Sequence, residues 1–259
     1  MDATGRSYVA RQFASYPFHI CRGQYLDPAL PDMASLYLQT SAGGIFEDDR
    51  LSVAIEAGEG ARAHVTTQAS TIVHRMPAGE ARQSVVLEAK PGSLLEYLPD
   101  PTILFPDARL RTSLRARVHE GASVILGDAF LAHDPAEAGE AFGFIDSETS
   151  VEDGQGRLLA LDRFLVRGAD LASAGAEPVQ GTFMAVTREV AADDMVAALR
   201  AAVPGRGDVY AGVSALPGAC GAWARILAAD GAALRVAMDA LWTAARTRIT
   251  GQPPGPRRK

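Results

Sequence analysis

Cysteine is scarce: Cys21 and Cys220 are the only two, far apart, with no CxxC and no Cys/His cluster around them. Neither a disulfide framework nor a zinc site is indicated, and a reduced, cytoplasmic setting is expected. Concentrated positive charge is scarce as well. The net charge of −6 and pI of about 5.4 argue against nucleic acid as a partner, because phosphate binding needs clustered Lys and Arg. The one such cluster, Arg257-Arg258-Lys259, follows Pro253-Pro254-Gly255-Pro256 and reads as a solvated tail over 252–259. No uncharged apolar run approaches the roughly 18 residues needed to cross a bilayer, and Met1 to Phe13 contain no apolar stretch of a secretory signal. A soluble protein with no membrane partner is expected. Walker A, HExxH and GxSxG patterns are absent. Gly58-Glu59-Gly60-Ala61-Arg62-Ala63 fits GxGxxA, but the β-branched run Val65-Thr66-Thr67 follows it, whereas a dinucleotide site needs a helix there.

With 47% hydrophobic residues the chain can bury a core, and the pattern of that core is mainly β. Residues 1–34 read as a wrapping arm in which His19 lies on the surface beside a packed Cys21. From Ser35 to Gly127 strand follows strand; Leu51 to Glu56 alternates cleanly, as a half-buried strand does. The turns at Gly60-Ala61, Gly92-Ser93 and Gly121-Ala122 each follow a strand that carries a glutamate, Glu56 or Glu59, Glu88 and Glu120. This reads as a repeated two-stranded unit with glycine at the turn, and hence as stacked, extended or coiled β-sheet layers. Prolines shape the segment from Pro91 to Arg111. The runs Leu94–Leu98 and Thr102–Phe105 are separated by Pro99-Asp100-Pro101 and stopped by Pro106, so they predict two short strands around a rigid corner, with Glu96 just before it and Asp100 as a turn residue.

An acid-rich loop is expected between Leu126 and Phe142, then strands over 142–151 and 157–166 joined by Asp153-Gly154-Gln155-Gly156, and another over 178–186. The period then changes to that of a helix. Asp193 or Asp194 is the predicted cap of one helix through Val203, stopped by Pro204-Gly205. A second helix runs from about Ala232 to Ile249, with Leu234, Met238, Leu241, Trp242, Ala245 and Ile249 as its apolar stripe and Arg246 and Arg248 suited to its negative end. Strands over 209–216 and 223–228 lie between the two helices. Arg206-Gly207-Asp208 falls in a turn and needs no adhesive role. The whole is read as one β-rich domain over 1–251, with two α-helices near the C-terminus.

A metal-dependent enzyme would need three or four ligands converging on one point. His64 and His74 could face each other if a hairpin turned midway between them, and His133-Asp134 stands in a loop; an enzyme built on His64, His74 or His133 is the second reading of this chain.

Several motifs taken together carry a resemblance. They are SLYLQTSAGGIFEDDRLSVAI (35–55), GARAHVTTQASTIVHRM (60–76), LLEYLPDPTILFPDARL (94–110), GASVILGDAFLAHDP (121–135), GEAFGF (139–144), GRLLALDRF (156–164) and RTRITG (246–251). In order and spacing the chain resembles the urease accessory protein UreD family, also called UreH. The resemblance implies a mostly β protein that is not itself an enzyme. It implies a scaffold that joins UreF and the GTPase UreG to apo-urease, through which nickel passes toward the urease active site; the only metal expected is transient nickel. Family-type acidic positions on that route fall on Asp49, Asp128 and Asp162. Carboxylates hold nickel less tightly than imidazole or thiolate does, so a row of them can pass an ion on; the alternative is pairing with arginines such as Arg50 and Arg163. Two positions depart from the family pattern: Asp48 stands where glycine is common beside Asp49, and Ile72 where a lysine often follows TTQAxT, with His74 where an aromatic is usual.

Overall fold

The computed structural model describes residues 4–173, 177–203, 205 and 207–256. The basic tail Arg257–Lys259, the helix stop at Pro204 and Arg206 of the Arg-Gly-Asp turn lie outside the described residues.

Two sheets and a helical layer are stacked. Across sheet A run β1 (Phe18–Ile20), β2 (Ala34–Thr40), β4 (Arg62–Thr67), β7 (Leu94–Tyr97), β10 (Ser123–Ala132), β13 (Val179–Val186), β15 (Gly221–Ala228) and β14 (Val209–Ala215); β5 (Thr71–Val73) pairs β8 (Thr102–Leu104), which pairs β10. Sheet B runs β12 (Leu158–Arg167), β11 (Phe144–Asp153), β9 (Arg109–Val118), β6 (Ala81–Ala89) and β3 (Arg50–Ala57). The helices are α1 (Gly168–Ser173), α2 (Ala192–Ala202) and α3 (Gly231–Thr250). Because side chains alternate across a strand, β10 serves both layers. Val124 and Leu126 pack toward sheet B, while Ile125 and Ala129 pack against the helices. A strand covered on both faces reads as an unbroken apolar run, which is why Ser123 to Leu126 shows no polar alternation. On α3 the stripe predicted from periodicity seats Leu234 and Leu241 at 0% exposure, each contributing about 2 kcal/mol of burial.

The repeat expected from the sequence is a coil. The chain passes from sheet B to sheet A three times, at Gly60, Gly92 and Gly121, with φ of 64°, 68° and 68°, the left-handed region that glycine enters without steric cost. Successive turns hydrogen-bond to one another: Gly60 N donates to Pro91 O (3.0 Å) and Gly92 N to Glu120 O (3.2 Å). In this stacking β3, β6, β9 and β11 run parallel, as do β4, β7 and β10.

The proline corner interrupts this order. Both β7 and β8 pair with β10, at Ser123–Leu126 and at Phe130–Ala132, so Pro99-Asp100-Pro101 bridges a gap opposite Gly127 to Ala129. The next coil is broken at the same level, where β4 ends and β5 begins, and Asp100 N donates to Thr67 Oγ1 (2.8 Å) across the two breaks.

Three expectations need correction. The acid-rich loop begins later than Leu126, because β13 pairs with β10 from Val124 through Leu131 and holds that stretch extended. Asp193 and Asp194 do not cap α2; the cap is Ala191, which makes no side-chain bond, and both aspartates sit in the first turn, where their charge suits the positive helix end. On α3 the cap is Asp230, whose carboxylate accepts from Ala233 N at 2.7 Å. Arg246 does not serve the negative end of α3 but is wholly buried. The short α1 was not anticipated by any periodic signal. Among the described residues no helix is long and apolar enough to cross a membrane, and both cysteines are free.

Candidate functional site

Between the stacked layers, carboxylates meet arginines in two places. One lies between sheet A and α3 and centres on Glu96, which is fully buried in β7. Trp242 Nε1 donates to its Oε1 at 2.9 Å, Arg246 reaches both oxygens through Nε and Nη2 at 2.5 Å, and His64 Nδ1 lies 2.8 Å from Oε2. Arg246 Nη1 also donates to Asp27 Oδ2 at 2.7 Å, tying the N-terminal arm to α3. Burial alone would raise the Glu96 pKa, but the hydrogen bonds of His64 and Arg246 and the charge of Arg246 win and bring it down to about 2. Every oxygen is satisfied and no open coordination position remains. His64 therefore belongs to a structural hub, its ring stacked on Trp242 with centroids 5.0 Å apart.

The second place lies between the two sheets and has a different character. Sheet A supplies Asp128, Thr182 and Arg225, in register across β10, β13 and β15. Sheet B supplies the row Gln83, Thr112 and Ser147, in register across β6, β9 and β11, and beside it Thr149 and Asp162. Asp162 is held by Arg225, whose Nη2 lies 2.8 Å from each carboxylate oxygen. Asp128 is less well served: Ser147 Oγ lies 3.4 Å from Oδ2. Burial raises its pKa to about 6, the backbone N–H of Ala129, the Ser147 hydroxyl and the Arg225 charge oppose that, and the nearby Asp162 charge adds to it. The Thr112 hydroxyl and the Trp223 indole N–H are buried without a hydrogen-bond partner among the described residues. Buried polar groups are normally paired, so this seam is under-satisfied where the hub is saturated.

The seam continues into a cleft of about 100 Å³ at the broken edge of sheet A, lined among others by Leu38, Thr67, Gln68, Gln83 and Tyr97. Tyr97 joins the two regions. Its pKa is raised first by burial and then by the charge of Asp128. The corner flagged in the sequence thus opens sheet A at the level of Asp128, because prolines at 99 and 101 cannot complete a ladder there.

Of the three acidic positions, the structure brings Asp128 and Asp162 together and leaves Asp49 apart. Asp49 precedes β3 at the edge of sheet B opposite β12, and its carboxylate closes a turn by accepting from Phe46 N at 2.8 Å. Neighbouring Asp48 has φ of 65°. The turn demands the left-handed region, which glycine meets freely and Asp tolerates, so the family glycine and this Asp answer the same backbone requirement. His74 stacks on Phe46 at 4.4 Å with an interplanar angle of 6° and meets Phe105 edge-on at 5.7 Å; it fills the place of the usual aromatic by acting as one. Gly44 is needed there, since a Cβ would lie 2.4 Å from Ile72 O.

The hairpin that would have set His64 against His74 does not form. Strands β4 and β5 run in the same direction, each parallel to a partner aligned on β10. His133 is exposed and lies by Phe105, with ring centroids 5.7 Å apart. Among the described residues no three His, Cys, Asp or Glu side chains converge as a preformed metal set.

A sequence model of the family described as UreD urease accessory protein matches residues 1–259. The chain belongs to the UreD family. Urease accessory protein UreD 1 of Pseudomonas syringae pv. syringae (strain B728a) is 41% identical over 261 residues, covering 99% of this chain and 92% of the relative. The UreD 1 of Methylorubrum extorquens (strain PA1) is 39% identical over 98% of this chain and 88% of its own. The UreD of Natronomonas pharaonis is 32% identical over 94% and 83%. UreD membership supports a role in urease maturation, and the names of these relatives point to an accessory rather than a catalytic part in it.

Sequence reasoning passed over Arg225, Ser147 and Thr112. Arg225 had a signal: it is the one charge in the run Gly221 to Ala228, and a charge in a buried strand requires a partner.

Proposed function

We propose that this chain is a cytoplasmic scaffold of urease maturation that joins UreF and UreG to apo-urease and lets nickel pass through the seam between its two sheets. The observation that supports this best is the facing pair Asp128 and Asp162, one from each sheet, in a polar row that leads to a cleft at the broken edge of sheet A. Nickel is cargo in this reading and not a resident cofactor. Two carboxylates with hydroxyl neighbours give it hard oxygen ligands in too small a number to trap it, whereas imidazole or thiolate would bind it more tightly. Asp49, on the far edge of sheet B, serves the route only at a mouth. GTP hydrolysis belongs to UreG.

Co-expression with the cognate UreF and UreG, followed by size exclusion and activation of apo-urease with GTP and nickel, tests the reading. A co-eluting complex that activates urease, and loses activation when this chain is left out, is the expected result. Urease maturing at the same rate without this chain would overturn it.

A further inference from the structure

Arg225 is a cation that already occupies one member of the carboxylate pair, Asp162. A single nitrogen, Nη2, makes both contacts to Asp162, and the guanidinium lies 4.6 Å from the centroid of Phe164 and 5.3 Å from that of Trp223. Arg225 comes from β15 of sheet A and Asp162 and Phe164 from β12 of sheet B, so the contact closes the seam from side to side. The buried arginine of the hub offers a measure of what a permanent strut looks like. Arg246 engages Nε, Nη1 and Nη2 and is wholly enclosed. Arg225 instead leaves 24% of its side chain exposed and Asp162 18%, so the guanidinium has a way out toward water and few bonds to break. Its stem is long, and the ring faces hold a cation without fixing its direction. A divalent cation and this guanidinium cannot share Asp162, since like charges at contact distance repel strongly in a partly dry site.

We infer that Arg225 is a displaceable latch: it holds Asp162 closed to divalent cations, and its withdrawal opens the seam to the ion. This rests on the reading of Asp128 and Asp162 as the nickel route. Arg225 is a positioning residue in this role, for it acts through Asp162 and does not touch the cargo.

Titration of the full chain with Co²⁺ alone, followed by ligand-field absorption and calorimetry, tests the latch. Arg225→Gln is expected to bind Co²⁺ about tenfold or more tightly than the parent, the equivalent of the charge-assisted hydrogen bonds the ion no longer has to displace. Adding Asp162→Asn should abolish the gain. A strut would lose thermal stability and gain no cation affinity, so an unchanged affinity in Arg225→Gln, or a gain that survives Asp162→Asn, overturns the inference. If Arg225→Gln does not fold, Phe164→Leu takes its place: it keeps both charges and removes one ring, and should raise affinity about two- to threefold, with no gain again overturning the latch. The underlying reading is judged separately. Asp162→Asn alone that activates urease at the parental rate within an intact complex counts against the route, whereas slowed activation with no Co²⁺ gain in Arg225→Gln defeats the latch only.

Discussion

The hub around Glu96 and the seam around Asp128 use the same chemistry to opposite ends. Each places a carboxylate in the interior within reach of an arginine. In the hub, Arg246, Trp242 and His64 all converge on Glu96, and its pKa falls to about 2. In the seam, Arg225 is committed to Asp162, Asp128 has a distant hydroxyl, and its pKa rises to about 6. The number of donors aimed at an interior acid therefore decides whether it is a fixed strut or an under-satisfied group. The hub locks the N-terminal arm, two strands of sheet A and α3 together; the seam leaves Asp128 short of donors.

The comparison breaks most visibly at Arg246. Replacing it with Ala strands Glu96 and Asp27 in the interior, which should cost about 3–5 kcal/mol and lower the melting temperature by about 10 °C, read by calorimetry on the purified chain. Arg225→Ala, by contrast, should cost no more than about 2 kcal/mol because its pair is partly solvated. Equal losses at the two arginines would erase the distinction between hub and seam.

Acid sharpens it next. The folded-state pKa of Glu96 lies below the usual carboxylate value, so its contribution is fully present above about pH 4.5 and drains away as pH falls toward 2. Denaturant melts from pH 7 to pH 3 should show Glu96→Gln losing stability most at neutral pH, with the gap to the parent narrowing on acidification. A gap independent of pH would mean that the hub does not rest on the ionised form.

Asp128 should respond with the opposite sign. Its raised pKa means that the ionised form burdens the folded state above about pH 6 and that protonation relieves the burden as pH falls toward the usual carboxylate value. Asp128→Asn should stabilise the chain at pH 8 by about 1 kcal/mol, the half-buried site tempering the effect, or about 2–4 °C in melting temperature, while slowing urease activation. Loss of stability in this variant would count against an under-satisfied seam. Smallest is Asp49→Ala, which removes one turn-closing bond to Phe46 N and should cost about 0.5–1 kcal/mol. Combined with Asp128→Asn it should be additive, since the two residues share no partner.

Much of this fold was legible because its signals are local. Glycine in left-handed turns at 60, 92 and 121 announced the coil, prolines at 99, 101 and 106 announced the broken strand pair, and the apolar stripe from Leu234 to Ile249 announced α3. The hub was illegible for the opposite reason. Arg246 meets Glu96 from 150 positions away and Asp27 from 219, and no periodicity encodes such a meeting. A carboxylate inside the apolar run LLEYL hinted that a buried cation must exist somewhere. For the seam, the sequence offered Asp128 and Asp162 only through resemblance to a family, and it grouped Asp49 with them. Sheet order separates them: Asp162 lies on β12 and Asp49 beside β3, at opposite edges of one sheet. Thr112 and Ser147 looked like ordinary polar residues of half-buried strands, and only the register across β9 and β11 aligns them.

The most direct measurement is the rate of apo-urease activation by a co-purified complex carrying Asp128→Asn and Asp162→Asn together. These changes keep size and hydrogen-bonding capacity while removing the two charges offered to the ion. The complex should assemble and elute as the parent does, yet activate urease at least about tenfold more slowly at limiting nickel. Parental activation by an intact double variant would contradict the seam as the nickel path and leave the scaffold without a conducting interior.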